Sequence, residues 1–271
     1  MPSVRLNNGV EMPVLAFGAN VWGPDTCKRA TLDAISAGFR NIWSSEIVGD
    51  GCQRAQAEAI KASGVPRSEF FLAGTVETQS CVGESQCYED TKRHAEGQFS
   101  VLGEDVLDML MLDYPPSSGG CPGIVGQWRA LEEIYAAKRV RSIAVSNFKQ
   151  RELACITANP SATVPAANQM PMHIGGNKDQ MLKENADLDI KVQAYSPLAH
   201  GKLASDPLCK KIGAAHGKSA AQVALRWITQ HEGTICTQSV KPDHIRADAD
   251  IFSFQLSAEE MRQLDAAGDR L

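Results

Sequence analysis

The sequence predicts an α/β fold in which eight parallel strands close into a barrel wrapped by helices. Short apolar runs alternate with amphipathic segments, the alternation repeats about eight times, and 271 residues give room for eight such units. A parallel sheet needs a crossover between successive strands, and this order supplies it. No linker, charge block or low-complexity stretch divides residues 1–271, so the chain is read as one domain.

The first run, Val14–Phe17, precedes the amphipathic segment Arg29–Ala37, and the second, Phe39–Trp43, precedes Gln53–Ala62. Phe70–Ala73 and Leu107–Leu112 supply the third and fourth strands. After the helix Val125–Lys138 come Ser142–Val145, Val164–Asn168 and Ile190–Ala194. The helix Ala220–Thr229 leads to the eighth run, Thr234–Cys236, and Ala258–Ala267 closes the chain. In the segments read as helices, apolar residues recur at three- and four-residue spacing, the helix period. Function in such a barrel sits at the carboxyl ends of the strands. The stretches to inspect are therefore 18–24, 43–51, 75–88, 113–124, 146–148, 168–174, 195–203 and 237–248.

Composition excludes several classes. With 43% hydrophobic and 22% charged residues the chain reads as an ordinary soluble globular protein, not a disordered one. A net charge of −5 argues against nucleic acid or an anionic membrane as partner. No apolar stretch nears the roughly 20 residues that span a bilayer. The opening MPSVRLNNG carries no targeting signal, so the expected location is cytoplasmic, or organellar after processing. Eight cysteines are too few for a small disulfide scaffold. The common nucleotide, metalloprotease and hydrolase motifs are missing. Gly217-Lys218-Ser219 imitates the end of a phosphate loop, but Ile212 stands where its first glycine belongs.

Several motifs, in order, resemble the aldo-keto reductase family. Leu6-Asn7-Asn8-Gly9-Val10-Glu11-Met12-Pro13 is similar to the amino-terminal β-hairpin that plugs the bottom of that family's (β/α)8 TIM barrel. Ala37-Gly38-Phe39-Arg40-Asn41-Ile42 resembles its second strand, and Leu107–Leu112 followed by Pro115 its fourth. Ser146-Asn147-Phe148, Asn168-Gln169, Tyr195-Ser196-Pro197-Leu198 and the helix Gly217–Trp227 match further motifs. The family transfers hydride from a nicotinamide to a carbonyl. Charge then builds on oxygen, so a proton donor must stand beside it. The family supplies a Tyr tuned by a Lys–Asp pair, and a His that orients the substrate. Matched residue by residue, the Asp position holds Trp43, the Tyr position Val48, the Lys position Thr75 and the His position Asp113. All four are replaced, so the resemblance implies the fold without the ordinary carbonyl reduction.

The implied cofactor site divides in two. Ser146, Asn147 and Gln169 stand at the amide-contacting positions of the nicotinamide, and Tyr195 at that of its stacking ring. Ser196 to Leu203, with Leu198, matches the loop that crosses the pyrophosphate. On the adenine side Thr237-Gln238-Ser239, His244 and Ala247-Asp248 replace the family's Pro-Lys-Ser, Arg and Glu-Asn. Ser239 remains, but the cations that pair with a 2′-phosphate do not, although Lys241 and Arg246 lie nearby. Weak binding of NADP(H) or NAD(H), or none, is the expectation. The plainer reading of the kept motifs is that they end strands and start loops.

At the altered mouth, Trp43 and Val48 add apolar bulk where a polar pocket is expected. In partly dry surroundings Asp113 favours the protonated acid. With the phenol of Tyr114 beside it, such an acid can assist enolisation; the plainer alternative is a solvated Asp113 and a packing Tyr114. His173 reads as loop-bonded rather than catalytic. Cys52, Cys81, Cys87 and Cys121 all follow strands and cluster on one face as free thiols, or with a disulfide such as Cys81–Cys87 or Cys81–Cys121. Cys-x-x-Cys spacing is absent, and no metal site is expected. Thr78–Tyr88 and Ser117–Gly126, rich in Gly, Ser and Cys, read as long loops that bind or cover something. Many relatives carry a further covering loop after the last helix, so this mouth is expected to be more open.

Two functional classes follow. One is a pseudoenzyme that serves as a binding, regulatory or assembly subunit, with a possible protein partner at the mouth. The other is a redirected NAD(P)(H)-dependent oxidoreductase, or an isomerase or lyase using Asp113 and Tyr114.

Overall fold

The computed structural model describes residues 1–118, 120–176 and 178–267. The chain begins with the antiparallel hairpin β1 (Ser3–Arg5) and β2 (Glu11–Pro13), with Val4 opposite Met12. Its turn contains Gly9 at φ 84°, a conformation that glycine adopts without steric cost. Asn7 Nδ2 donates to the Pro165 carbonyl (2.9 Å) and Asn8 Nδ2 to that of Arg141 (3.0 Å). Leu6 and Met12 join Phe71, Met109 and Met111 in an interior apolar cluster. The hairpin thus closes the amino-terminal end of the barrel, as the resemblance implied.

Eight parallel strands follow, each paired with the next: β3 (Leu15–Gly18), β4 (Asn41–Ser44), β5 (Phe71–Val76), β6 (Leu107–Leu112), β7 (Val140–Ser146), β8 (Ala167–Pro171), β9 (Lys191–Tyr195) and β10 (Thr234–Thr237). β10 pairs back onto β3 and shuts the ring. The outer layer comprises α1 (Pro24–Ser36), α2 (Asp50–Ala62), α3 (Gly83–Leu102), α4 (Gly120–Ala136), α5 (Gln150–Thr157), α6 (Lys178–Ala186), α7 (Pro207–His216), α8 (Ala220–Gln230), α9 (Pro242–Ala249) and α10 (Ala258–Asp265). Strand alternation separates two cores. Phe71, Ala73, Met109 and Met111 fill the inside, while Leu72, Leu110 and Leu112 meet the helices. The same alternation carries Thr75 and Asp113 inward at the open end.

Three expectations are corrected. Thr78–Tyr88 and Ser117–Gly126 are not long covering loops, because α3 starts at Gly83 and α4 at Gly120. Their small residues serve helix contact: a Cβ on Gly126 would lie 2.1 Å from the Glu84 carbonyl oxygen. Nor are the four mouth cysteines free thiols. Disulfides join Cys27–Cys52, Cys81–Cys87 and Cys121–Cys155, so Cys121 pairs with α5 rather than with Cys81. Cys209 and Cys236 remain unpaired. Finally, the sixth strand begins at Ala167, not Val164, because Pro165 and Ala166 belong to the junction beside the plug.

Among the described residues no helix is long and apolar enough to cross a membrane. No group of three His, Cys, Asp or Glu side chains there is placed to hold a metal.

Candidate functional site at the barrel mouth

A cavity of about 430 Å³ opens at the carboxyl ends of the strands. Asp113 stands at its floor and is 3% exposed. Its backbone N–H is held by the Val76 carbonyl at 2.9 Å. Carboxylate Oδ2 accepts from Ser45 Oγ (3.2 Å) and Thr75 Oγ1 (3.3 Å), and these hydroxyls lie 3.1 Å apart. Backbone N–H groups fix both hydroxyls, Ile47 N on Ser45 Oγ and Glu46 N on Thr75 Oγ1. Burial pushes the Asp113 carboxyl up to about 6; the two hydroxyls pull it down, and the charges of Glu77 and Glu46 add to the rise. Glu46 accepts from the Glu77 N–H and pairs with His94.

Trp43, Ile47 and Val48 also line this cavity, with Tyr114 and Tyr195. Of the four positions matched to the family's catalytic set, Trp43, Val48 and Asp113 face the cavity and Thr75 reaches it through Asp113. Ser45 escaped the sequence reading. Its signal was two-residue spacing from Trp43, which puts both on the inward face of β4 and its extension. Tyr114 and Tyr195 are phenols raised by burial; Asp113 adds to both, Glu77 to the first, and Tyr114 to the second.

The residues expected at a nicotinamide do come together. Asn147, at φ 62°, is of a type that tolerates this left-handed geometry. Its Nδ2 donates to Ser146 Oγ (2.9 Å) and the Asp113 carbonyl (3.3 Å), and its Oδ1 accepts from the Tyr195 hydroxyl (2.9 Å). Gln169 Nε2 donates to Gln193 Oε1 at 2.7 Å. Ser196 and Leu198 border the cavity on the same side. The Asn147 amide therefore spends its hydrogen bonds within the protein.

Beyond the rim, Ser239 Oγ accepts from the Lys241 N–H at 3.1 Å and stabilises a turn. Asp248 is buried, accepts from Thr237 Oγ1 at 2.9 Å, and is pushed by burial up to about 7. Arg246 pairs with Asp243. The loop-bonded reading of His173 fits its Nδ1, which donates to the Ile174 carbonyl at 2.8 Å. Cys236 lines the cavity, but burial raises its thiol to about 12, so little thiolate is available for reaction.

A plugged eight-stranded α/β barrel with a ligand-sized cleft above its strands defines a class of scaffold that places chemistry in its mouth. The sequence pattern of the Aldo/keto reductase family matches residues 15–269, and the chain belongs to that family. It is 32% identical over 99% of its length to an aldo-keto reductase of Mycolicibacterium paratuberculosis (strain ATCC BAA-968 / K-10), covering 92% of that protein. It is 34% identical to morphine 6-dehydrogenase of Pseudomonas putida, over 97% of this chain and 90% of the relative. Among solved structures, an aldo/keto reductase from Brucella melitensis superposes with TM-score 0.89 at 31% identity, over 98% of each chain.

Proposed function

We propose that this barrel binds a ligand at its mouth without the family's reduction of carbonyls, as a pseudoenzyme serving a binding, regulatory or assembly role. The observation that carries this reading is the identity of the residues around the cavity. Where the resemblance expects a phenol, an amine, an acid and an imidazole, Val48, Thr75, Trp43 and Asp113 stand. Hydride delivered to a carbonyl leaves an alkoxide that must be protonated. Tyr114 and Tyr195 are poor donors because burial and negative neighbours hold their protons more tightly. Asp113 is mostly ionised at neutral pH.

The family implies a nicotinamide dinucleotide, and the residues here do not fit a tightly held one. Lys and Arg are absent from the described cavity lining, and Glu46 and Glu77 stand behind Asp113. A pyrophosphate under the Ser196–Leu203 loop finds no cationic partner in that lining. On the nicotinamide side, a bound amide has to displace the internal bonds of Asn147.

A second reading is favoured by one observation. A carboxyl near 6 beside anchored hydroxyls suits proton transfer at neutral pH, so a redirected isomerase, lyase or oxidoreductase would use Asp113 and Tyr114. Titration with NADPH and NADH, followed by tryptophan fluorescence and by carbonyl turnover, separates the readings. The binding function predicts dissociation constants of a millimolar or weaker, and no turnover. Low-micromolar binding with turnover that Asp113→Asn abolishes establishes the second reading in its place.

A further inference from the structure

We infer that the mouth cavity is a site for a small organic cation, an ammonium group carried on an apolar ring, with Asp113 as its counter-charge. The inference rests on the binding role proposed above and names the ligand class. Asp113 is almost wholly buried. Its Oδ2 is occupied by Ser45 and Thr75, whereas Oδ1 has no hydrogen-bond partner among the described residues, and the Asp113 side chain belongs to the cavity lining. A buried carboxylate with a vacant oxygen is costly unless a cation meets it. The protein supplies none: among the described residues the cavity is lined by no Lys or Arg.

The other charged and titratable groups bias the site the same way. Glu46 and Glu77 act on Asp113 from behind, His94 is held by Glu46, Tyr114 and Tyr195 are neutral phenols, and His200 sits at the rim. An anionic ligand meets repulsion from three carboxylates, and a neutral alcohol or carbonyl leaves the Asp113 charge uncompensated. Apolar and aromatic walls from Trp43, Ile47, Val48, Tyr114 and Tyr195 cover a ring. The aromatic side chains add cation–π attraction for a cation that meets their faces. The volume, about 430 Å³, lies within the ordinary range for a small-molecule cleft.

The test compares three probes of one shape on the oxidised protein by calorimetry: 2-phenylethylamine, 2-phenylethanol and phenylacetate. The amine is expected to bind at least about tenfold more tightly than the alcohol, and phenylacetate more weakly than both. Amine affinity should fall about tenfold between pH 7.5 and 5 as Asp113 takes up its proton, while alcohol binding stays level. Asp113→Asn should erase the preference for amine, with an unchanged circular dichroism spectrum showing that it folds. Ser45→Ala, which removes a bond that favours the charged carboxylate, should move the pH midpoint upward. Equal affinity for amine and alcohol, no binding of any probe, or a preference that survives Asp113→Asn overturns the inference. NADPH-dependent turnover overturns the binding function instead, and leaves the three-probe comparison to decide the ligand class.

Discussion

Asp248 shows how one side chain can be costly to the fold. It is 5% exposed, its one side-chain partner among the described residues is Thr237, and burial lifts it from near 3.8 to about 7. The folded protein therefore holds this proton more tightly than the unfolded chain. As pH rises from about 4 to about 7 the unfolded state ionises first, and stability falls by up to roughly 4 kcal/mol. Asp248→Asn keeps an oxygen acceptor for Thr237 and removes the charge. Urea melts should show the variant more stable than the parent by about 1–3 kcal/mol at pH 8, with the gap closing near pH 4. Position 248 was legible in the sequence only through the resemblance, as part of an adenine site; its burial against Thr237 depends on how α9 seats on β10. Asp113 was legible through the same resemblance, as the residue at the His position after the fourth strand, and alternation from Met109 and Met111 turns it inward.

At the scale of elements, helix periodicity found α1, α2, α4, α8 and α10, and left α3, α5, α6, α7 and α9 unnamed, of which α3 is the longest. The inner face of α3 mixes Ala95, Phe99 and Leu102 with buried Thr91 and Gln98, so its apolar stripe is broken. Gln98 Oε1 accepts from Gln53 Nε2 at 2.8 Å, a partner on α2 that no local pattern reveals. Of the glycines that made Thr78–Tyr88 and Ser117–Gly126 look like loops, Gly123 and Gly126 lie inside α4 and let it approach the first turn of α3. Gly126→Ala puts a Cβ into the Glu84 backbone and should destabilise the fold by about 1–3 kcal/mol. Gly97→Ala, on the exposed side of α3 with no atom within 4 Å of the new Cβ, should instead stabilise it by about 0.5–1 kcal/mol. Thermal melts of the two variants should move in opposite directions; a shared direction refutes the contact.

For the whole molecule, the parallel ring was readable because its strands are short apolar runs at regular intervals, whereas of its covalent bracing only Cys81–Cys87 stood among the readings. Connectivity depends on which helices lie side by side. Cys27 and Cys155, inside α1 and α5, give no hint of their partners until the barrel is closed. The disulfides link α1 to α2 and α4 to α5, and fasten the segment that leads into α3. Closing loops of 25, 6 and 34 residues is worth about 3.5, 2 and 4 kcal/mol by chain entropy alone, an upper range. Three such links form and persist only where thiols oxidise. Protein made in an oxidising compartment and unfolded without reductant should therefore titrate two thiols, from Cys209 and Cys236. After reduction it should titrate eight. Its melting temperature should fall by roughly 10–20 °C on reduction. Eight thiols before reduction would refute the bracing and leave the mouth held by side-chain packing and hydrogen bonds alone.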